Sequence, residues 1–580
     1  MNSTEINNFT LKTNRFIEKG ELKNALDSIK TLADKLHNWA VTDKLNELKN
    51  NYKYMLHYLI EGSKDPEQDK IYHKLLRDTY KLTSDAAEAA LTQESPQLFY
   101  ERKRIANLRE PLSMSEYAER IRKNVDTKAL LSLFEEGEEK TNRTKKNAQE
   151  HERTVSDMFY SVFSSPRAND DLIEEYTQFM VDEVIPADDK SMLISALMLN
   201  ILQRFDAKKV LFLLDCCSHV QMEIAVRSIV ALTPILQYYN KRWHLYPEFV
   251  SRLALLSDDG AFRRRLLISI IQFIQSRETE KITKKLTEEI LPEMMKLSPI
   301  IGKKIRMDEW MGETGMDDKN PEWQKILDDA GITDKLEEFS NLQMQGADVF
   351  HSTFSNLKSY PFFNEMSNWF LPFNLEHSQL HDFVSENTDN KGVIKSITNA
   401  TFICNSDKYS FCFSIMMMPE QYRNMMSSQL GAESEELKNM NDEEFSINPY
   451  QKEEAVCKQY VQDLYRFYKV YQRKDDFFDI FSMPLNYHTI DAISSVVSVP
   501  ENLEKIALYY FEKNHLPEAL SAYEKLSEID DSNSEVWQKI GYCHQQLGNI
   551  EKAVEAYLHA DLIESNNTWV LRRIAQCYRL

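Results

Sequence analysis

The spacing of apolar residues is helical along most of the chain. Residues 1–134 carry apolar positions three and four apart, interrupted by polar turns at 62–67 and 94–97. This spacing places one apolar stripe along each helix. Between 155 and 305 the helical pattern continues with longer apolar runs. With only 13 glycines and 17 prolines in 580 residues, the chain is poor in the turn formers that many short strands need, so we expect an all-α fold.

A strongly polar segment separates the first two of these regions. Residues 135–153 read EEGEEKTNRTKKNAQEHER, and Ala148 is the only apolar residue among them. Such a composition is typical of a solvated linker or an exposed helix rather than of a packed element. We therefore expect a domain boundary at a charged linker over 135–154, between an amino-terminal helical region (1–134) and a second one (155–305).

The pattern becomes irregular after residue 306. Residues 306–450 contain two long turn-forming stretches, GETGMDDKNPEW at 312–323 and GAESEELKNMNDEE at 431–444, which predict helices with long loops. Helical spacing resumes within 451–499, where residues 453–481 predict a helix pair. We expect this pair to cap the next region on its amino-terminal side.

The carboxyl-terminal region, 500–580, contains an internal repeat. Four columns recur at a spacing of 34, and they consist of Ile506, Ile540 and Ile574; Ala519 and Ala553; Tyr523 and Tyr557; and the small residues Ala507, Gly541 and Ala575. A fixed period of this length indicates stacked helical hairpins. Small residues let two helices approach closely, and an aromatic side chain fills the space between successive hairpins.

These columns resemble the tetratricopeptide repeat, a family whose unit has the same period. Its pattern has a large residue at position 4, a small one at 8, Ala at 20, an aromatic residue at 24 and Ala at 27. Residues 534–567 match that pattern at Trp537, Gly541, Ala553, Tyr557 and Ala560. Residues 500–533 form a preceding unit, and a third begins at residue 568 and has one helix before residue 580, which leads us to expect a longer natural chain or a second molecule there. The amino-terminal region is similar in one stretch, EKGELKNALDSI (18–29). The resemblance implies an α-solenoid.

The same resemblance implies a site. In this family the first helix of each unit lines a concave groove that binds a peptide or helix of another protein. Carried over to this sequence, the lining residues are Glu504, Leu508, Glu535, Gln538, Tyr542, Gln545, Trp569 and Arg572.

Residues 155–305 show a second, looser period of 35 to 37. Ala196-Leu197 is followed by Ala231-Leu232, and Val226-Arg227 by Phe262-Arg263. This resembles HEAT repeats, in which an acidic residue and an arginine near the start of the second helix pair across units. An irregular helical bundle is the alternative interpretation.

Charge and cysteine usage restrict the partner and the compartment. The net charge of −21 opposes binding to a phosphate backbone. The seven cysteines have no regular spacing, which is typical of reduced thiols inside a cell. The amino terminus lacks the features of a secretory signal, and no apolar run is long enough to span a membrane. We expect a cytoplasmic protein.

One stretch opposes this charge. Between residues 261 and 306 there are eleven Lys or Arg against five Glu, a local charge of +6. A solvated helix face is the simplest interpretation, and docking to RNA or to an acidic protein is the alternative. The residues of this basic stretch that would carry the docking are Arg263, Arg264, Arg265, Lys303, Lys304 and Arg306.

The sequence offers little catalytic chemistry. Candidate metal ligands occur at Cys216, Cys217 and His219, at Cys404 and Cys412, and at His377 and His381, but none completes a ligand set. No phosphate-binding glycine loop or nucleophile elbow occurs, so we predict no metal, no cofactor and no catalytic residue. The expected function is a non-enzymatic scaffold for protein partners, with an enzyme whose site lies in 306–450 as an alternative, because long loops often carry function.

Overall fold

The computed structural model describes residues 3–36, 38–61, 67–109, 111–135, 137–285, 351–381, 400–419 and 449–579, together with residues 288, 348, 394, 397 and 398. Throughout this described part the regular secondary structure is helical, and it contains no strand. The prediction of an all-α fold is confirmed.

The chain begins with four helices, α1 (Ser3–Glu18), α2 (Leu22–Leu36), α3 (Trp39–Ile60) and α4 (Gln68–Glu94). Helix α4 packs against each of the other three. Between α1 and α2 the backbone turns at Gly20, whose φ of +72° lies in the left-handed region that glycine adopts readily. The N–H of Glu21 donates to the carbonyl of Phe16 at 2.8 Å, which closes the helix end in a Schellman turn.

The charged segment at 135–154 is part of a helix. After α5 (Leu98–Leu108) and α6 (Met114–Ser132), helix α7 runs from Glu138 to Phe163 and crosses the expected boundary. Its polar half is stabilised by pairs one turn apart, such as Arg143 with Glu139 at 2.6 Å. Its apolar half is buried. Of the two interpretations that the sequence left open for this segment, the structure shows the helix and not the linker.

Residues 170–275 form two rows of helices. Helices α8 (Asp170–Val181), α10 (Ala207–Cys216) and α12 (Pro247–Leu256) pack in one row. Helices α9 (Ala187–Gln203), α11 (Met222–Tyr238) and α13 (Gly260–Gln275) pack in the other, and the short α14 (Thr279–Lys285) follows. Two rows of alternating helices are the architecture of a helical solenoid.

The acid–arginine pairing expected of HEAT repeats is not seen at Arg227. Its guanidinium donates to the carbonyl of Phe370 at 2.7 Å and to Ser195 Oγ at 3.2 Å, and it lies over the ring of Tyr460 at 4.2 Å. Arg227 therefore ties α11 to α9 and to later parts of the chain. The HEAT resemblance of these helices stays a prediction.

One long helix lies at the centre of the second half of the molecule. Helix α17 (Pro449–Val470) follows α15 (His351–Ser355) and α16 (Asn405–Met416) and packs against α11, α13 and α16. The expected helix pair at 453–481 is wrong, because α17 is followed by short 3₁₀ turns, Lys474–Asp476 and Ile480–Ser482 among them. The first helix of the carboxyl-terminal repeats is contacted by α13 and by the short α18 (Ser494–Val497).

The aromatic segment before α16 covers this centre. It forms 3₁₀ turns at Pro361–Asn364 and Met366–Trp369. Phe362, Phe363 and Trp369 on these turns are almost fully buried. The indole Nε1 of Trp369 donates to the carbonyl of Phe363 at 2.9 Å, so its one polar atom is satisfied inside the core. The segment thus packs onto its own scaffold.

The carboxyl-terminal region consists of α19 (Pro500–Glu512), α20 (Leu516–Ile529), α21 (Ser534–Gln546), α22 (Ile550–Ile563) and α23 (Thr568–Arg579), each packed against the next. The two hairpin turns are equivalent, since Asn514 and Gly548 both have positive φ, +62° and +81°, and occupy the same position in successive units. Each turn is closed by a Schellman bond, from the N–H of His515 to the carbonyl of Tyr510 and from that of Asn549 to that of His544.

Candidate partner-binding groove

The first helices of the three units, α19, α21 and α23, carry a row of aromatic side chains and one arginine. The rings of Phe511 and Tyr542 lie 5.3 Å apart between centroids. The guanidinium of Arg573 lies over the ring of Tyr542 at 5.5 Å and over that of Trp569 at 5.0 Å. We call the surface formed by Phe511, Tyr542, Trp569 and Arg573 the aromatic row.

The spacing of the helices beneath the aromatic row is set by residues with small side chains. Gly541, Ala553 and Ala560 are buried between helices, and Tyr557 fills the gap against α23. The ring of Tyr557 meets that of Trp569 edge-on at 5.8 Å. The small and aromatic columns of the repeat therefore determine where the side chains of the aromatic row lie.

Most of the residues predicted to line the groove are accessible. Glu504, Glu535 and Arg572 are exposed, as are Leu508 (37%) and Trp569 (39%). Gln538 and Tyr542 are half-buried. Two of the polar residues are held by neighbours, since Glu535 pairs with Lys539 at 2.7 Å and Gln538 Nε2 donates to Ser534 Oγ at 3.1 Å.

Gln545 differs from the expectation of a surface residue. It is 8% exposed, and its side-chain oxygen accepts a hydrogen bond from the hydroxyl of Tyr557 at 3.0 Å. A buried tyrosine hydroxyl needs a partner, and Gln545 on the preceding helix provides it. Gln545 therefore supports the stack from inside and is not part of an open surface.

Arg573 is the residue that the sequence interpretation missed. The family pattern selects Arg572, one position earlier, and the two arginines cannot be distinguished by composition. The contact of Arg573 with two rings depends on how α23 lies against α21, which no local pattern encodes. Arg573 Nη1 donates to the neutral side chain of Gln576 at 3.3 Å, and neither arginine has a carboxylate partner among the described residues.

The basic stretch is partly engaged in the fold. Arg264 donates to Glu453 Oε2 and Arg265 to Oε1, at 2.9 and 2.7 Å, and the guanidinium of Arg264 lies 3.8 Å over the ring of Tyr450. Arg263 is exposed. The other three residues of the stretch, Lys303, Lys304 and Arg306, lie outside the described residues.

The candidate metal ligands do not converge. All seven cysteines are free and buried, and burial raises the pKa of Cys412 to about 12, which opposes formation of the thiolate that binds metal. His219 contacts backbone through both ring nitrogens, which lie near the carbonyl of Met180 and the N–H of Gln221. In the part of the chain that the structure describes, no group of three or more such ligands can hold a metal ion.

Among the described residues, no helix combines the length and the apolar character needed to cross a bilayer.

Residues 500–579 form a stack of antiparallel helical hairpins with a period of 34, which is the architecture of a helical-repeat protein. Residues 534–567 match the model of the tetratricopeptide repeat family. The chain therefore carries a tetratricopeptide repeat at this position, which confirms the resemblance inferred from the sequence and supports a protein-interaction scaffold.

The comparison with curated proteins found no match to the chain. Three chains of solved structures do match. One comes from the crystal structure of the APC/C hetero-tetramer Cut9-Hcn1, at 11% identity over 99% of this chain and 96% of that one, with a TM-score of 0.14. A TM-score this low means that the two chains do not superpose as wholes.

Proposed function

We propose that the protein is a non-catalytic cytoplasmic scaffold that binds a peptide or helix of a partner protein across the aromatic row. The observation that carries the proposal is the position of Arg573 between Tyr542 and Trp569, which combines accessible ring surface with a cation that has no ion-pair partner among the described residues. Aromatic and arginine side chains dominate binding energy at protein interfaces.

The charge along the row indicates how a partner would lie. Arg572 and Arg573 are on the third unit, whereas Glu504 and Glu535 are on the first and second. A segment with an apolar side chain against Tyr542 and a carboxylate at the arginines fits both features. An arginine that is stacked on a ring also has less conformational freedom to lose on binding.

The test compares partners recovered from the native cell by three variants of the full chain. Tyr542→Ala and Arg573→Ala remove the two central members of the row. The control is Tyr578→Ala, which removes an exposed aromatic residue (71%) from α23 at a position outside the family's groove. Partners are identified by mass spectrometry, and circular dichroism checks that each variant is folded.

We expect one set of proteins to be depleted at least about tenfold by both row variants, a loss of roughly 1.4 kcal/mol, and to be retained by Tyr578→Ala. Equal recovery by all three variants would contradict the assignment of the aromatic row. Measuring the recovered partner as a purified protein against the same variants then gives the change in Kd.

A further inference from the structure

A cavity of about 380 Å³ is lined by residues between 124 and 409, which precede the aromatic row in the chain. It is enclosed by α6, by the middle of α7, by the first turn of α9 and by the segment 367–381, with Tyr409 of α16 contributing its ring. Its volume falls within the range of small-molecule sites. Residues 367–381 and 409 belong to the region 306–450, so the described part of that region forms one wall of this cavity.

The cavity is lined by four carboxylates, and we call it the acidic cavity. Three of them come from two helices, and the fourth, Glu376, is on the segment 367–381. Glu152 is on α7, and Asp188 and Asp189 are in the first turn of α9. Carboxylates are ordinarily favourable at a helix amino terminus, which accounts for the two aspartates. It does not account for Glu152, which lies well inside its own helix.

The contacts of the three carboxylates on helices differ. Glu152 accepts hydrogen bonds from the N–H and the hydroxyl of Ser378, both at 2.6 Å. Asp189 is almost fully buried, and both of its carboxylate oxygens lie 3.2 Å from His151 Nε2. Asp188 forms no ion pair or side-chain hydrogen bond within the described residues.

The basic groups that line the acidic cavity do not balance this charge. Lys128 pairs with Glu376 at the exposed rim. Burial lowers the pKa of His377 to about 4, so this ring, 3.6 Å from Glu152, is neutral at pH 7. His151 pairs with Asp189.

This excess of negative charge and the burial of the cavity change the pKa values of the acids. Burial raises the pKa of Asp188 and the charge of Asp189 raises it further, while the charges of Arg227 and His151 lower it without cancelling the rise. Burial also raises the pKa of Glu152, against the opposing hydrogen bonds from Ser378. A carboxylate that is taken out of water with too little compensating positive charge is costly, and a bound cation would reduce that cost.

The rest of the lining indicates which cation. The described residues offer no set of three ligands that could hold a metal ion. Apolar surface from Leu131, Val155, Met192 and Leu371 borders the carboxylates. An ammonium group on an aliphatic chain fits this lining, because the charged group can pair with the carboxylates and the carbon atoms can pack against the apolar side chains.

We propose that the acidic cavity binds a small organic amine, with the ammonium group at Asp188 and the aliphatic part against Leu371 and Met192. This site is independent of the aromatic row, so it can fail without affecting the proposed scaffold function.

The test is isothermal titration calorimetry of the full chain with n-butylamine and with 1,4-diaminobutane. Sodium chloride and magnesium chloride at matched ionic strength are the reference titrations. Asp188→Asn removes the charge with little change of shape. The matched control is Asp170→Asn, which makes the same change in the first turn of α8, where the carboxylate is 94% exposed.

A second variant, Ala148→Phe, fills the cavity from α7 and leaves all four carboxylates in place. We expect saturable binding of at least one amine to the wild type and to Asp170→Asn, a loss of tenfold or more in Asp188→Asn, and no binding to folded Ala148→Phe. Absence of binding by both amines to the wild type would overturn the proposal. So would equal binding by Asp188→Asn, or heats that magnesium chloride reproduces.

Discussion

Gly541 lies directly against the ring of Tyr557, so closely that a Cβ on Gly541 would be 2.7 Å from the ring carbon Cδ1. This is the contact that lets α21 and α22 pack as a hairpin. The preceding unit has Ala507 in the same column, opposite Tyr523, so the column accepts a methyl group only where the hairpin is spaced for it.

Gly541→Ala is therefore expected to destabilise the protein, by about 1–3 kcal/mol, because overpacking forces the ring or the helix to move. The measurement is the midpoint of urea unfolding. Gly260→Ala is the control, since a Cβ there meets nothing within 4 Å. A Gly541→Ala protein that is as stable as the wild type would show that the ring moves without cost.

The carboxyl-terminal stack could be predicted because its determinants recur at a fixed spacing. The small residue at 541, the aromatic residue at 557 and the turn at 548 act within one hairpin, and their equivalents recur at the same positions of the preceding unit. Exposed lining residues were predictable only in part. The burial of Gln545 and the stacking of Arg573 depend on how neighbouring helices meet, and a sequence pattern on one helix does not contain that information.

The centre of the molecule was not predictable in the same way. Arg466 contacts Asp348 and Asp407, which are 118 and 59 residues away along the chain. No spacing rule connects such positions. The segment after α17 is apolar enough to suggest a second helix, yet its side chains are buried from short 3₁₀ turns, as for Ile480 and Phe481. Tertiary packing decides the structure there.

Arg466 is almost fully buried and holds two carboxylates. Its Nη2 lies 3.0 Å from Asp348 Oδ1 and 2.8 Å from Asp407 Oδ2, and Lys358 contacts Asp407 at 2.8 Å. Arg466→Met should cost about 3–5 kcal/mol, because it removes the arginine from buried Asp348 and leaves Asp407 with Lys358 alone. The free energy of unfolding in urea measures this.

The control for Arg466 is Arg143→Ala, which breaks the exposed pair with Glu139 and should cost less than about 1 kcal/mol. Acid titration adds a second check. Burial raises the pKa of Asp407, but Arg466 and Lys358 outweigh it and lower the pKa to about 2. The free energy of unfolding of the wild type should therefore fall as the pH decreases from about 4 to 2, and that of Arg466→Met should fall less. Equal losses in both proteins would contradict the pairing.

Lys209 makes the stability depend on pH in the alkaline range. Its ammonium group is buried and donates to Ser165 Oγ, to the carbonyl of Pro166 and to Asn200 Oδ1, at 2.6 to 2.8 Å, none of which is charged. Burial lowers its pKa to about 7. The unfolded chain therefore binds more protons than the folded one between pH 7 and about 10.4, and the stability that Lys209 contributes should rise across that range.

Lys209→Met should remove this rise. The difference in unfolding free energy between the wild type and Lys209→Met is expected to grow with pH from 7 to 10, by at most about 1.4 kcal/mol per unit. Urea titrations at successive pH values measure it, and Lys208→Met, at a half-exposed neighbour, is the control. A constant difference would mean that Lys209 is charged in the folded protein throughout.

Glu453 neutralises two arginines of the basic stretch, since each of its oxygens accepts from one guanidinium, Arg264 or Arg265. With these two engaged in a chain of net charge −21, the wild type is expected to pass an immobilised poly(U) column at physiological ionic strength. Glu453→Gln should free both arginines. Each phosphate that a freed arginine neutralises would add roughly 0.7 to the salt dependence of binding to a single strand, so this variant should be retained at low salt.

Glu454→Gln is the matched control for Glu453→Gln, because it removes the same charge from the exposed neighbouring position of α17. It should elute with the wild type, which separates the release of two arginines from a simple change in net charge. Retention of the wild type at physiological salt would instead favour RNA docking through the basic stretch. Equal retention of the two variants would show that Glu453 does not restrain Arg264 and Arg265 in solution.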